Sequence, residues 1–254
     1  LSLQFKKIKN YMKTKILAIF ACLLWGSAFA GAKIGFEYTT PLHLSGMRFM
    51  LAGLLLIPFL IYQKIDWISN LKEWRYMLLF GFLQTFIQYG FFFMGLNKVP
   101  AAISAIIIGG GPFFVAVMAH FTMGNDRMSF RKILAIVLGM AGIVFISFAK
   151  GGSIHTDISF YYGVILLIIS NIVGASTNII VAKNRNKVSP VMLTAFANFS
   201  GGLILYIVSF FTEDWYVKPY SLEFYIAWIW LALIPAVGFS IWYSLLKRPE
   251  VKVS

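Results

Sequence analysis

Acidic residues are scarce in this chain, and where they fall excludes more than their number does. The nine are Glu37, Asp66, Glu73, Asp126, Asp157, Glu213, Asp214, Glu223 and Glu250, and all lie between long apolar runs or at their ends. A carboxylate relay buried in mid-membrane, the common means of coupling a solute to protons, is therefore missing from this stretch. Cysteine is nearly absent as well. Cys22 is the only one, so no intrachain disulfide or cysteine-based zinc site can form. The three histidines, His43, His120 and His155, share no metal-ligand spacing. No HExxH, GxSxG or pair of aspartates occurs, so the groups that a membrane enzyme requires are lacking. No cofactor, metal or catalytic residue is expected.

Charge of either sign is sparse. Charged residues make up 12% of the chain and hydrophobic ones 59%, with a mean hydropathy of +0.80. A soluble domain carries about 25% charged residues, and this chain cannot cover a water-facing surface with polar groups. Its solvent is lipid. Many of its 7 Trp and 12 Tyr stand at the edges of apolar runs, where amphipathic rings suit the headgroup layer. The net charge of +13 does not point to nucleic acid, because such a binder gathers Lys and Arg on one folded face. Here they occupy short gaps between apolar runs. The expected partners are the bilayer and a small-molecule solute; a homodimer stays open.

A membrane helix needs about 20 mainly apolar residues. Eight stretches qualify, at residues 16–36, 42–62, 74–96, 100–121, 132–149, 160–182, 190–212 and 224–246; these are spans 1 to 8. Barrel strands are excluded by the length and continuity of the runs, since strands would alternate over about ten residues. Five lysines precede span 1, superficially like a signal peptide, but the apolar segment is too long and further spans follow. The chain begins with Leu rather than Met, which suggests that its true start lies upstream.

A cytoplasmic N-terminus makes the gaps 63–73, 122–131 and 183–189 and the tail from Lys247 cytoplasmic. With their flanks these regions hold 17 of the 22 Lys and Arg. The other side holds Lys33, Lys98, Lys150 and Lys218, leaving Arg48 alone within a span. That skew follows the positive-inside rule and sets both the span count and the orientation in the plasma membrane.

The order of features repeats. Trp25, Gly26 and Ser27 through Lys33 to Pro41 recur as Gly174, Ala175 and Ser176 through Lys183 to Pro190, and FMGLNKVPAAIS from Phe93 aligns with YSLLKRPEVKVS from Tyr243 at an offset near 150. Five spans is an odd number, so the second unit enters the membrane upside down, as in inverted-repeat carriers. Residues 1–150 form the first unit and 151–254 the second. The second stops where the first reaches Ser104, so about 45 residues and two spans are expected beyond the end, by analogy with such repeats.

At these residues the sequence resembles the EamA branch of the drug/metabolite transporter superfamily. The likeness is carried by WGSAFAGAKIG in span 1, PLHLSGMR opening span 2, and NDRMSFRKILAIVLGMAGIVFIS around span 5, and it extends over essentially the whole chain. It implies an all-α integral membrane protein, a polytopic bundle of two inverted five-helix repeats with eight of ten transmembrane helices present. It further implies a substrate cavity between the halves, alternating access, and export of small metabolites, amino acids among them, or of toxic compounds. Two departures stand out: Asp126 occupies a position where the family commonly has Glu, and the ninth and tenth spans are absent.

Polar groups that lipid would exclude give the candidate site. Arg48 lies seven residues past Pro41, about 10 Å into the bilayer by helical rise, where an arginine costs about 2.5–3.5 kcal/mol. Either it snorkels or holds helix carbonyls, or it faces a cavity and attracts an anion with a charge it does not lose. Gln84 and Gln88 share a face of span 3; Asn171, Gly174 and Asn178 share one of span 6; Thr194, Asn198 and Gly201 share one of span 7. Each stripe reads either as interhelical hydrogen bonding or as cavity lining. Gly109, Gly110, Gly111 and Pro112 are expected to kink or unwind span 4. Pro235 and Gly238 are candidates for the same in span 8, presenting Trp242 and Tyr243 to the interior, with an interfacial aromatic belt as the alternative. Lys33 is expected to snorkel. The function read from these features is a secondary transporter, with a channel or a non-transporting assembly subunit as the alternative.

Overall fold

The computed structural model describes residues 2–123, 130, 133–134, 137–138, 141, 158–184, 186–214 and 218–246, with side chains from residue 14 onward. Among the described residues no strand occurs, and seven helices are long and apolar enough to cross a membrane. They are Thr14–Phe36, Pro41–Tyr62, Trp74–Lys98, Ala101–Thr122, Ile158–Lys183, Pro190–Thr212 and Leu222–Leu246; the first continues a helix that begins at Ser2, and the other ends fall within two residues of the stretches read from hydropathy. Most of span 5, together with Asp126, Lys150 and the tail from Lys247, lies outside the described residues.

Local chemistry sets the helix ends. Spans 2 and 7 open with Pro41 and Pro190, whose fixed φ suits a first turn and whose missing N–H would be unpaired there anyway. The next two donors of span 2 are taken by a distant carboxylate. Glu213, just beyond span 7, accepts from the backbone N–H of Leu42 at 2.9 Å and of His43 at 3.3 Å. An anion is favoured at that positive helix end.

Lipid tails are as apolar as leucine, so helices in a bilayer associate through close packing rather than by escaping water. Span 7 is the hub of that packing. It forms its largest interface with span 2 and also packs on spans 3 and 8. Gly46 on span 2 lies against the backbone of Tyr206, Gly53 against Ala195 and Phe199, and Gly202 on span 7 against Phe49 and Met50. On its other side span 7 meets span 3 through Gly201 beside Gly81 and Thr85.

The principal pairings among spans 1–3 and 6–8 form a symmetric set. Span 1 packs on span 8 and span 6 on span 3; span 2 packs on span 8 and span 7 on span 3; spans 2 and 7 pack on each other. Exchanging spans 1, 2 and 3 with spans 6, 7 and 8 maps this list onto itself. The bundle has a basic end, with Lys64, Lys72, Arg75, Lys183 and Lys187, and an opposite end, with Glu37, Glu213, Asp214 and Glu223.

Gly46→Ala places a Cβ 2.6 Å from the Tyr206 backbone nitrogen, where no flexible side chain can yield. It is expected to destabilise the bundle by about 1–3 kcal/mol and to lower the thermal unfolding midpoint in detergent. Gly26→Ala, with nothing within 4 Å of its added Cβ, should leave the midpoint unchanged or raise it, since Gly is about 1 kcal/mol worse than Ala in a helix.

Candidate functional site

Arg48 projects inward from span 2 and is 2% exposed, one of the largest fully buried side chains among the described residues. It does not snorkel. Its guanidinium carbon lies 4.5 Å from the ring centroid of Phe49, 5.0 Å from Phe93 and 5.8 Å from Tyr89, and its Nε and Nη1 have no hydrogen-bond partner. The rings offset part of the charge burial, at about 0.5–2 kcal/mol for each well-placed face. They are poor acceptors for the N–H groups, and a buried donor without a partner costs about 1–3 kcal/mol.

The aromatic cage continues as a column along the bundle. Tyr89 packs on Phe239 at 5.9 Å, Phe239 on Trp25 at 5.6 Å and on Tyr243 at 5.4 Å, and Tyr243 on Phe80 at 5.5 Å. Trp25 also meets Trp242 at 5.6 Å. Tyr243 is buried and Trp242 half-buried, so both face the interior rather than an interfacial belt. The column ends near a water-sized cavity of about 10 Å³ at the basic end, lined by Tyr76, Val181, Asn184, Val188, Pro190, Leu193 and Tyr243.

Beside the column runs a polar seam. The Thr177 hydroxyl donates to Gln84 Oε1 at 2.5 Å, Gln88 packs against Gly174, and Trp242 Nε1 donates to Asn178 Oδ1 at 2.9 Å. Gln84, Gln88, Asn178, Trp242 and Tyr243 are thus gathered where spans 3, 6 and 8 meet. Gln88 Oε1, Thr85 Oγ1, Asn198 Nδ2 and Tyr243 Oη are buried with no partner. Thr194 is occupied locally, donating to Pro190 O at 2.8 Å. Asn171 is a packing group, since its Nδ2 donates to the carbonyl of Ile107 at 2.6 Å.

That last bond explains how span 4 keeps its break. The helix stops at Gly109 and resumes at Gly111 with Pro112 in its first turn, as Gly110, Gly111 and Pro112 predict, and the side chain of span 6 takes up a carbonyl there. Pro235 behaves otherwise. The helix Leu222–Leu246 runs through it without interruption, correcting the expected break. Ala232, Ile234, Ala236 and Gly238 around it are buried, and packing on both sides holds the turn that the missing N–H weakens. The irregularity that hydropathy does not reveal is in span 3, where Phe82–Gln88 is a π-helix. It centres on Thr85, and an offset of 150 carries Thr85 onto Pro235 in span 8. Such π segments often border functional sites.

Lys33 also departs from expectation. Instead of snorkelling, its Nζ donates to the carbonyls of Leu96 at 2.6 Å and Val99 at 3.1 Å, where span 3 ends. The cage residues Phe49, Tyr89 and Phe93 carry no polar signal that hydropathy would flag; only the four-residue spacing of Tyr89 and Phe93, with Phe49 beside Arg48, hints at them.

A helical bundle with a buried unpaired cation, a polar seam and interrupted membrane helices belongs to the class of multi-pass membrane transporters. The sequence profile of the EamA-like transporter family matches residues 12–148. The chain belongs to this family, and its relatives are named as transporters rather than enzymes. The "Uncharacterized transporter YvbV" of Bacillus subtilis (strain 168) is 25% identical over 239 residues, covering 94% of this chain and 76% of that protein. An "Uncharacterized transporter" of Archaeoglobus fulgidus is 25% identical over 241 residues, covering 94% and 81%. The "Probable amino-acid metabolite efflux pump" of Escherichia coli (strain K12) is 29% identical over 133 residues, 52% of this chain and 42% of that protein. One solved crystal structure superposes with a TM-score of 0.78 at 17% identity, over 93% of this chain and 80% of that one, a likeness of fold alone.

Asn171→Leu is expected to release the Ile107 carbonyl and loosen span 4 against span 6. Its thermal unfolding midpoint in detergent should fall by the equivalent of about 0.6–1.7 kcal/mol, the range for an interhelical hydrogen bond in a membrane.

Proposed function

We propose that this chain is a carrier that exports small anionic or zwitterionic metabolites across the plasma membrane by alternating access, with its N-terminus in the cytoplasm. The observation that carries the reading is Arg48, a buried cation whose Nε and Nη1 have no partner among the described residues and whose guanidinium carbon lies within 6 Å of three aromatic ring centroids, at 4.5, 5.0 and 5.8 Å. Cation and unpaired donors together make a receptor for a carboxylate, which pairs with guanidinium in its plane while rings cover the faces. Gln84, Gln88, Asn178, Asn198, Trp242 and Tyr243 supply the neutral polar groups that would select the remainder of the solute.

Two inverted units, 1–150 and 151–254, are supported by the principal pairings among spans 1–3 and 6–8, which map onto themselves. An open pore is disfavoured by the aromatic column, which fills the axis among the described residues. The direction of transport leans on the name of the Escherichia coli relative.

Arg48→Met removes the charge but fills the site. Saturable, competable flux of an anionic solute into proteoliposomes should be lost, while the unfolding midpoint should hold or rise, because an apolar side chain has no unpaired donors to bury. Arg48→Lys, which keeps charge without the planar fork, should fall between. Wild-type flux in Arg48→Met would reject the role.

A further inference from the structure

The aromatic column that leads away from Arg48 has an outer end, and a second cation stands there. At the basic end Lys187 Nζ lies over the ring of Tyr76, 5.6 Å from its centroid. From Tyr76 the rings follow one another at contact distance: Tyr76 to Phe80 at 6.3 Å, Phe80 to Tyr243 at 5.5 Å, Tyr243 to Phe239 at 5.4 Å and Phe239 to Tyr89 at 5.9 Å. Tyr89 in turn lies 5.8 Å from the guanidinium carbon of Arg48. One ladder of rings thus joins an exposed cation to a buried one.

The outer end is open to water and the inner end is not. Lys187 is exposed in the turn between spans 6 and 7, where its backbone N–H donates to Asn184 O at 3.0 Å. The ring it covers, Tyr76, lines the water-sized cavity together with Asn184 and Tyr243, and Tyr243 Oη is buried with no partner among the described residues. An aromatic ring carries its negative potential on the face and its positive potential on the edge. Lys187 and Arg48 lie over faces, so the edges and the hydroxyls of Tyr76, Tyr243 and Tyr89 are the groups suited to an anion.

We propose that Lys187 is the outer station of the solute path, which takes a carboxylate at the basic mouth and passes it along the ladder to Arg48. The inference rests on the reading of Arg48 as a carboxylate receptor. Phe80 and Tyr243 stand between the cavity and Arg48 in this structure, and the hand-over takes place when they part.

The test uses the full chain in proteoliposomes with Cys22→Ala and one reporter cysteine. The reporter is Asn184→Cys at the mouth or Ser45→Cys one turn before Arg48, where Ser45 Oγ is buried with no partner among the described residues. Each is labelled from the basic side by a methanethiosulfonate reagent bearing a sulfonate and, separately, by one bearing a trimethylammonium group, and the ratio of the two rates is read. Lys187→Gln should lower the anion-to-cation ratio at both reporters by about three- to tenfold, the effect of one unit charge a few ångströms away in a watery mouth. Lys187→Arg should restore it, and added salt should shrink the difference. Arg48→Met should lower the ratio at 45 and leave that at 184 near the parent. The outer station is overturned if Lys187→Gln leaves the ratio at 184 unchanged, if it lowers that ratio alone, which makes Lys187 a surface charge off the path, or if neither reagent reaches 45. An unchanged ratio at 45 in Arg48→Met rejects the Arg48 reading instead, whatever Lys187→Gln does.

Discussion

In a bilayer the hydrophobic effect drives helices into the membrane but does not bring them together, so the architecture depends on how closely backbones can approach. Span 7 meets span 2 through Gly46, Gly53 and Gly202, and span 3 through Gly81 and Gly201. These contacts leave no room for side chains between the helices. They also fix the rotation of span 2, which turns Arg48 away from lipid and into the bundle. A cation that would otherwise reach for the headgroups is thereby held among Phe49, Tyr89 and Phe93.

Polar groups within the membrane divide into two kinds. Asn171, Lys33 and Glu213 repair backbone: a carbonyl at the break in span 4, carbonyls left free where span 3 ends, and the first free donors of span 2. Each sits where a helix is interrupted, ends or opens, and each is satisfied by that backbone. Arg48, Gln88, Thr85 and Asn198 retain buried atoms with no partner among the described residues.

Much of the fold is legible before any coordinates. Hydropathy places six of the helices within two residues of both observed ends, and the end of the first, because about 20 apolar residues have no other stable place. Gly110 and Pro112 announce the break in span 4. Pro235 misleads, because a missing N–H weakens a turn without deciding whether neighbouring helices hold it. The π segment at Phe82–Gln88 is silent in sequence, since nothing in FLQTFIQ forbids an ordinary α-helix.

The sequence by itself determined that this chain spans a membrane many times, where most helices begin and end, and which few polar residues are submerged, since these follow from transfer energies that each segment meets alone. Only the tertiary structure decided what those residues do. Whether Asn171 repairs backbone or lines a cavity, whether Lys33 snorkels or bonds a carbonyl, and which rings enclose Arg48 depend on helix rotation and close approach. Those are set by contacts between segments as much as 203 residues apart, as in Ser27 with Trp230, and no local pattern encodes them.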